Sequence, residues 1–142
     1  MSFPVKEFMI KDVPIIEDYV SVTEAAKVMK EKSRGFLIVL KNKQLAGIIT
    51  IRDFVNKVIA AEKDPKITSV SEVMSSPLIT VDPDEDLFKA SEIMHNHNIR
   101  RLPVVRDGIL YGVLTSGEIA RSCSAIVDRA TRDIIRWSIV PV

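Results

Sequence analysis

Shifted by 65 positions, residues 5–54 of this 142-residue chain lie on residues 70–119 without a gap. Ten of the fifty pairs are identical: Val5/Val70, Glu7/Glu72, Met9/Met74, Ala25/Ala90, Met29/Met94, Leu37/Leu102, Val39/Val104, Leu45/Leu110, Gly47/Gly112 and Thr50/Thr115. Average residue usage would give roughly three. Conservative pairs such as Val28/Ile93, Ile48/Val113 and Ile49/Leu114 keep the same register. A chain that writes one unit twice has few folds open to it. Two like units are expected to pack about a pseudo-two-fold axis, and clefts between repeats are natural ligand sites. A unit of about 60 residues would be marginal alone because it buries little surface, so the halves are expected to share a core.

The second unit shows the pattern more clearly. Val70–Met74 reads as a short helical turn, and Leu78-Ile79-Thr80-Val81 as an extended run stopped by Asp82-Pro83. A helix is expected over Asp86–Asn96, with Leu87, Ala90, Ile93 and Met94 on its buried face. The acidic run Asp84-Glu85-Asp86 suits the dipole at its start. Leu102–Arg106 and Ile109–Leu114 are strands joined through Asp107-Gly108, a hairpin signal. A second helix begins at Ser116.

The first unit repeats the order. Ser21-Val22-Thr23-Glu24 has capping-box spacing, Val22, Ala25, Val28 and Met29 point inward, and Phe36–Leu40 and Leu45–Ile51 are the hairpin strands. Residues 52–62 form its last helix and Glu62–Ser69 the connector. The expected class is α+β, strand–helix–strand–strand–helix in each repeat, packed through the sheets. Repeat 1 spans residues 1–64, repeat 2 residues 65–125, and residues 126–142 are a helical extension and tail. In that extension Ile119, Cys123, Val127, Ala130 and Ile134 recur at helical spacing as far as Trp137, which puts Cys123 in the core. Arg129, Arg132 and Arg136 read as a solvated face. The apolar tail Ser138–Val142 wants cover.

Composition and motifs argue against several function classes. A net charge of +1, with both signs interspersed, lacks the basic excess of a nucleic-acid binder. No apolar run is long enough to span a membrane, and Met1–Lys6 lacks a signal-peptide pattern, so cytoplasm is the expected location. The lone Cys123 cannot form an internal disulfide. His95 and His97 are two apart on a helix and diverge, so no metal site is expected. No phosphate-binding glycine loop and no nucleophile arrangement occurs, so an enzyme is not expected.

Gly47-Ile48-Ile49-Thr50-Ile51-Arg52-Asp53-Phe54 resembles the signature that ends a CBS domain: glycine, two apolar residues, threonine or serine, two variable residues, aspartate. Arg100-Arg101-Leu102-Pro103-Val104-Val105 resembles a basic strand entrance of the same family. Together the units resemble a tandem CBS pair over about residues 5–125. The resemblance implies binding of AMP, ADP or ATP, less readily S-adenosylmethionine, and a regulatory output through an effector protein. It also implies a homodimer. Its runner-up is an assembly module that binds no ligand.

The chemistry of these residue types agrees with that implication. A carboxylate accepts hydrogen bonds from two adjacent ribose hydroxyls, and Asp53 is the candidate. Thr50, at a helix start, would add a hydroxyl for phosphate, and Arg52 a guanidinium. The Thr50-x-x-Asp53 spacing is also that of a helix-capping pair, and the two roles can coexist. The resemblance further implies that Asp53 shares a site with Arg100 and Arg101 of the other repeat, with Pro103 in the same strand. The mirror site would join Thr115 and Glu118 to Gly35 and Phe36, which carry no charge. Glutamate is one methylene longer than aspartate, so that second site is expected to be weak or empty. By resemblance, Ile15, Ile16 and Thr80 would face the base.

Overall fold

The aliphatic run 36–40 forms β2 (Phe36–Lys41), the middle strand of a three-stranded sheet with order β1-β2-β3. The protein is described here by a computed structural model covering residues 2–138. β1 (Ile15–Glu17) runs parallel to β2, and β3 (Gln44–Thr50) antiparallel to it. Asn42 and Lys43 close the hairpin with φ of 50° and 65°, the left-handed pair that a two-residue turn requires. α1 (Val22–Lys32) starts on Ser21, whose hydroxyl accepts from the Glu24 amide, and ends at Ser33 in the left-handed conformation. Its buried face is Val22, Ala25 and Met29, with Val28 partly buried. After β3 comes α2 (Ile51–Asp53), which continues as a π-helical turn, Phe54–Ile59. The uniform helix expected over 52–62 is thus shorter and wider, and the chain leaves it through Glu62 at a φ of 57°.

This sheet and its helices belong to a unit spanning residues 12–79. The segment that opens repeat 2 is part of it. α3 (Val70–Val73) starts at Ser69, where the Glu72 carboxylate accepts from the Ser69 amide, and it places Val70 and Val73 in the core with Leu37, Val39, Ile49 and Val58. Ser75 then pairs with Ile48 through two backbone hydrogen bonds of 2.8 and 3.1 Å.

The other unit joins the stretch up to Lys11 with the stretch from Thr80 onward. The 3-10 turn Val5–Glu7 precedes Ile10, which pairs with Val113 as Ser75 pairs with Ile48. The expected strand at 78–81 narrows to one parallel bridge, Val81 to Val104. α4 (Leu87–Asn96) is capped by the Asp86 carboxylate on the Phe88 amide and buries Leu87, Ala90 and Met94. β4 (Arg101–Arg106) and β5 (Ile109–Thr115) form a hairpin turned by Asp107 and Gly108, both at positive φ. Repeat boundaries in sequence and unit boundaries in space therefore differ. Each repeat's opening segment lies in the unit built on the strands of the other repeat.

The final helix departs from expectation twice. It breaks at Ser122 into α5 (Ser116–Arg121) and α6 (Cys123–Ser138). Cys123 is exposed rather than core, because the break lets α6 dock through a different face. That docking uses Arg129, which is partly exposed but paired rather than simply solvated. Its guanidinium donates to the Ser2 carbonyl and the Glu7 carboxylate, each at 3.0 Å, and sits 4.9 Å from the centre of the Phe3 ring. The reading of the tail beyond Ser138 lies outside the described residues.

Two glycines sit where the incoming segments cross. A Cβ on Gly47 would lie 2.7 Å from the Ser75 carbonyl and 2.8 Å from the Met74 sulfur. On Gly112 it would overlap the Ile10 carbonyl and meet the Met9 sulfur at 2.8 Å. Gly47→Ala is expected to lower the unfolding free energy by about 1–3 kcal/mol, the usual cost of overpacking. Urea melts measure this, and unchanged stability would show that the crossing relaxes freely.

Arg106 bridges Asp82 and Asp84, and Lys6 reaches Asp84 at 2.7 Å, which ties the N-terminal segment to the β4 region. Lys6 first and Arg106 second lower the Asp84 carboxyl from 3.8 to about 2. The stabilisation is complete above the ordinary value of 3.8 and is lost as pH falls through about 2. Asp84→Asn is therefore expected to flatten the acid limb of a stability–pH curve between those two values. A limb as steep as wild type would remove Asp84 from the account.

Candidate functional site

The beginning of β2 gathers three stretches of the 12–79 unit. Phe36 pairs with Thr50, and the Ile51 amide donates to the Gly35 carbonyl at 3.2 Å, so Arg34–Phe36 and Thr50–Asp53 lie side by side. On the opposite edge of β2 the Ile38 amide donates to the Pro14 carbonyl at 3.0 Å, which brings Pro14 and Ile15 to the same end of the sheet. A cleft of about 530 Å³ opens there, lined by Asp12, Val13, Pro14, Ile15, Lys32, Ser33 and Arg34. The left-handed Ser33 ends α1 and lines this cleft between Lys32 and Arg34.

The lining brings apolar Val13, Pro14 and Ile15 together with two cations, Lys32 and Arg34, and one carboxylate, Asp12. Ile15 is half exposed, whereas Ile16 is buried in the core and can present only backbone. Of the residues anticipated in this unit, Ile15 alone lines the cleft. Lys32 and Arg34 were not anticipated. In repeat register Arg100 and Arg101 fall on Gly35 and Phe36, and the cations stand one and three residues upstream of Gly35.

Asp53 is 7% exposed and its carboxylate is fully engaged within its own unit. Oδ2 accepts from the Thr50 amide at 2.9 Å and the Thr50 hydroxyl at 3.3 Å, while the Asp53 amide donates to Thr50 Oγ1 at 3.4 Å. The capping pair inherent in the Thr50-x-x-Asp53 spacing is therefore formed. Oδ1 lies 3.1 Å from the Lys57 ammonium and 3.5 Å from the Ser75 hydroxyl. Lys57 also donates to the Val73 carbonyl at 3.0 Å. Its position four residues after Asp53 on a helix was a legible signal for this pair. Arg52 is exposed beside it.

The other unit builds the same corner with different side chains. Arg101 pairs with Thr115, and the Ser116 amide donates to the Arg100 carbonyl at 3.0 Å, so Arg100, Arg101, Thr115 and Glu118 meet at one end of the hairpin. Burial first, and Arg100 beside it second, lower the pKa of Arg101. Thr115 Oγ1 accepts from the Glu118 amide at 3.0 Å, but the longer Glu118 carboxylate extends outward to pair with Arg121. Thr80 is exposed. Pro103 is buried, and its carbonyl is taken by the Val81 amide at 3.0 Å. Asp53 thus belongs to one unit, and Arg100 and Arg101 to the other.

Comparison with known proteins bears on both repeats. The CBS domain family model matches residues 5–60 and 70–125. The CBS domain-containing protein YhcV of Bacillus subtilis is 36% identical over 116 residues, which cover 82% of each chain. The hexameric CBS-CP12 protein of bloom-forming cyanobacteria superposes with a TM-score of 0.79 at 33% identity, over 84% of this chain and 71% of that one. A conserved protein of Pyrococcus horikoshii gives a TM-score of 0.81 at 26% identity, over 87% of this chain and 93% of that one. Two matched repeats on a shared α+β fold place the chain in the CBS-domain family.

Proposed function

We propose that this protein is a regulatory CBS pair whose cleft at the start of β2 binds an adenine nucleotide: AMP, ADP or ATP. The observation that carries the proposal is the lining of that cleft. Lys32 and Arg34 supply charge for phosphate, in excess of the one carboxylate of Asp12, and Val13, Pro14 and Ile15 supply apolar surface for a flat base. The Thr50–Asp53 corner adjoins the same strand end and adds a carboxylate for the ribose diol. S-adenosylmethionine is positively charged at sulfur and suits two flanking cations less well. In the other unit, Arg100, Arg101 and Thr115 form a second basic corner. There Glu118 is held by Arg121, which favours a weaker or different ligand.

Regulation follows from linkage. A nucleotide shifts the protein only by the difference in its affinity for two states, and the output passes to an effector protein or to self-association. The cyanobacterial relative is described as hexameric; a homodimer in the cytoplasm is our reading for this chain. Among the described residues no helix is long and apolar enough to cross a membrane. The balanced net charge of +1 argues against nucleic acid as the partner.

One observation favours the competing reading of a ligand-free assembly module. The Asp53 carboxylate already has donors on both oxygens. Calorimetry separates the two. AMP is expected to bind with a Kd below about 1 mM. Arg34→Met is expected to weaken it at least about tenfold, the worth of one charge-assisted hydrogen bond. Asp53→Ala is expected to weaken it comparably and to lower stability by about 0.5–2 kcal/mol through the lost cap. If Asp53→Ala changes stability alone, or if AMP, ADP and ATP give no heat at about 1 mM, the assembly reading replaces this one.

A further inference from the structure

Asp53 presents a contradiction that its surroundings resolve. A carboxylate offers about four acceptor positions, and here four donors approach them: the Thr50 amide, the Thr50 hydroxyl, the Lys57 ammonium and the Ser75 hydroxyl. The side chain is 9% exposed. A ribose diol brings two more donors and cannot reach either oxygen while all four stay in place. Some donors must leave, and the four are not equally held. The Thr50 pair belongs to the helix cap and is fixed by backbone. The Ser75 contact is long, at 3.5 Å. Lys57 sits on a flexible stem, is 44% exposed, and finds water readily when displaced.

Displacing Lys57 has a consequence beyond the site. The same ammonium donates to the Val73 carbonyl at the end of α3. Lys57 and Ser75 both connect Asp53 to residues 70–75, the segment through which the chain leaves this unit. The other repeat lacks the device. Its counterpart of Lys57, at the 65-residue shift, is Ser122, and its carboxylate meets Arg121 on the outside.

We infer that Asp53, Lys57 and Val73 form a latch: Lys57 ties the Asp53 carboxylate to the Val73 carbonyl, and a nucleotide ribose displaces it. The displacement removes the side-chain tie between residues 70–75 and the helix 51–59 and loosens the segment, while the Ser75–Ile48 pairing and buried Val70 and Val73 keep it in its unit. Lys57 is thus a positioning and regulatory residue that competes with the ligand. This rests on the nucleotide reading above and adds to it the route by which occupancy is reported.

Hydrogen exchange and AMP titration on the full chain test it. Without nucleotide, Lys57→Met is expected to raise deuterium uptake in residues 70–75, and Lys57→Arg, which keeps both donors, is expected to restore protection. With nucleotide, Lys57→Met is expected to bind AMP about two- to fivefold more tightly than wild type, at least the worth of a surface ion pair, since its Asp53 partner is buried. AMP is expected to raise uptake in 70–75 of wild type but to add little in Lys57→Met. If wild type binds AMP while 70–75 stays equally protected, or if Lys57→Met binds it no more tightly, the latch is wrong and the nucleotide reading survives. If neither protein binds AMP, both are wrong.

Discussion

A carbonyl oxygen occupying the place of a missing side chain is the contact on which the architecture depends. Ser75 can pair with Ile48, and Ile10 with Val113, because the neighbouring residues Gly47 and Gly112 have no Cβ to hold the incoming backbone away. The pairing carries more than its own hydrogen bonds. It delivers Val70 and Val73 to the core of residues 12–79, and it delivers Val5, which is wholly buried, to the other unit. Three of the ten identical pairs along the repeat, Val5/Val70, Met9/Met74 and Gly47/Gly112, therefore record a single packing event written twice.

That event explains what could be read from the sequence and what could not. The hairpins were legible because their signals are local: aliphatic runs, and a turn at Asp107-Gly108 where positive φ is needed. The starts of α1 and α4 were legible in Ser21 and Asp86 for the same reason. The exchange of opening segments was not, because a short turn such as Val70–Val73 carries no record of which sheet it will cover. Cys123 shows a related failure. Helical spacing gives an apolar stripe, but which stripe faces the body was settled by Arg129 gripping Glu7 and by the break at Ser122. Both are tertiary outcomes.

At the candidate site the limits were finer. The corner holding Thr50 and Asp53 was readable from a motif, and so was the alternative that the same residues merely cap a helix. The cations of the cleft escaped because repeat register was applied residue by residue. Lys32 and Arg34 end α1 and open the loop after it, whereas Arg100 and Arg101 begin a strand. Charge has been kept near the strand entrance in both repeats, but it has moved along the chain. A ligand responds to where charge lies in space and not to its alignment column, so strict register underestimates how alike two such corners are.

The difference between aspartate and glutamate then decides how each corner behaves. The short Asp53 carboxylate folds back to its own cap and meets donors from its own helix and from residues 70–75. The longer Glu118 carboxylate reaches past its cap to Arg121, three residues on, and makes an exposed pair of a kind that contributes little to stability. One methylene thus separates a carboxylate wired to a second chain segment from one wired only to its own helix. A ligand that engages the first must change contacts to another part of the chain, and a ligand at the second need not. Two corners built on the same strand pairing would therefore differ in whether binding is felt elsewhere. On the nucleotide reading, their responsiveness would be set by which group must be displaced, since a ligand moves an equilibrium only through contacts that differ between the two states.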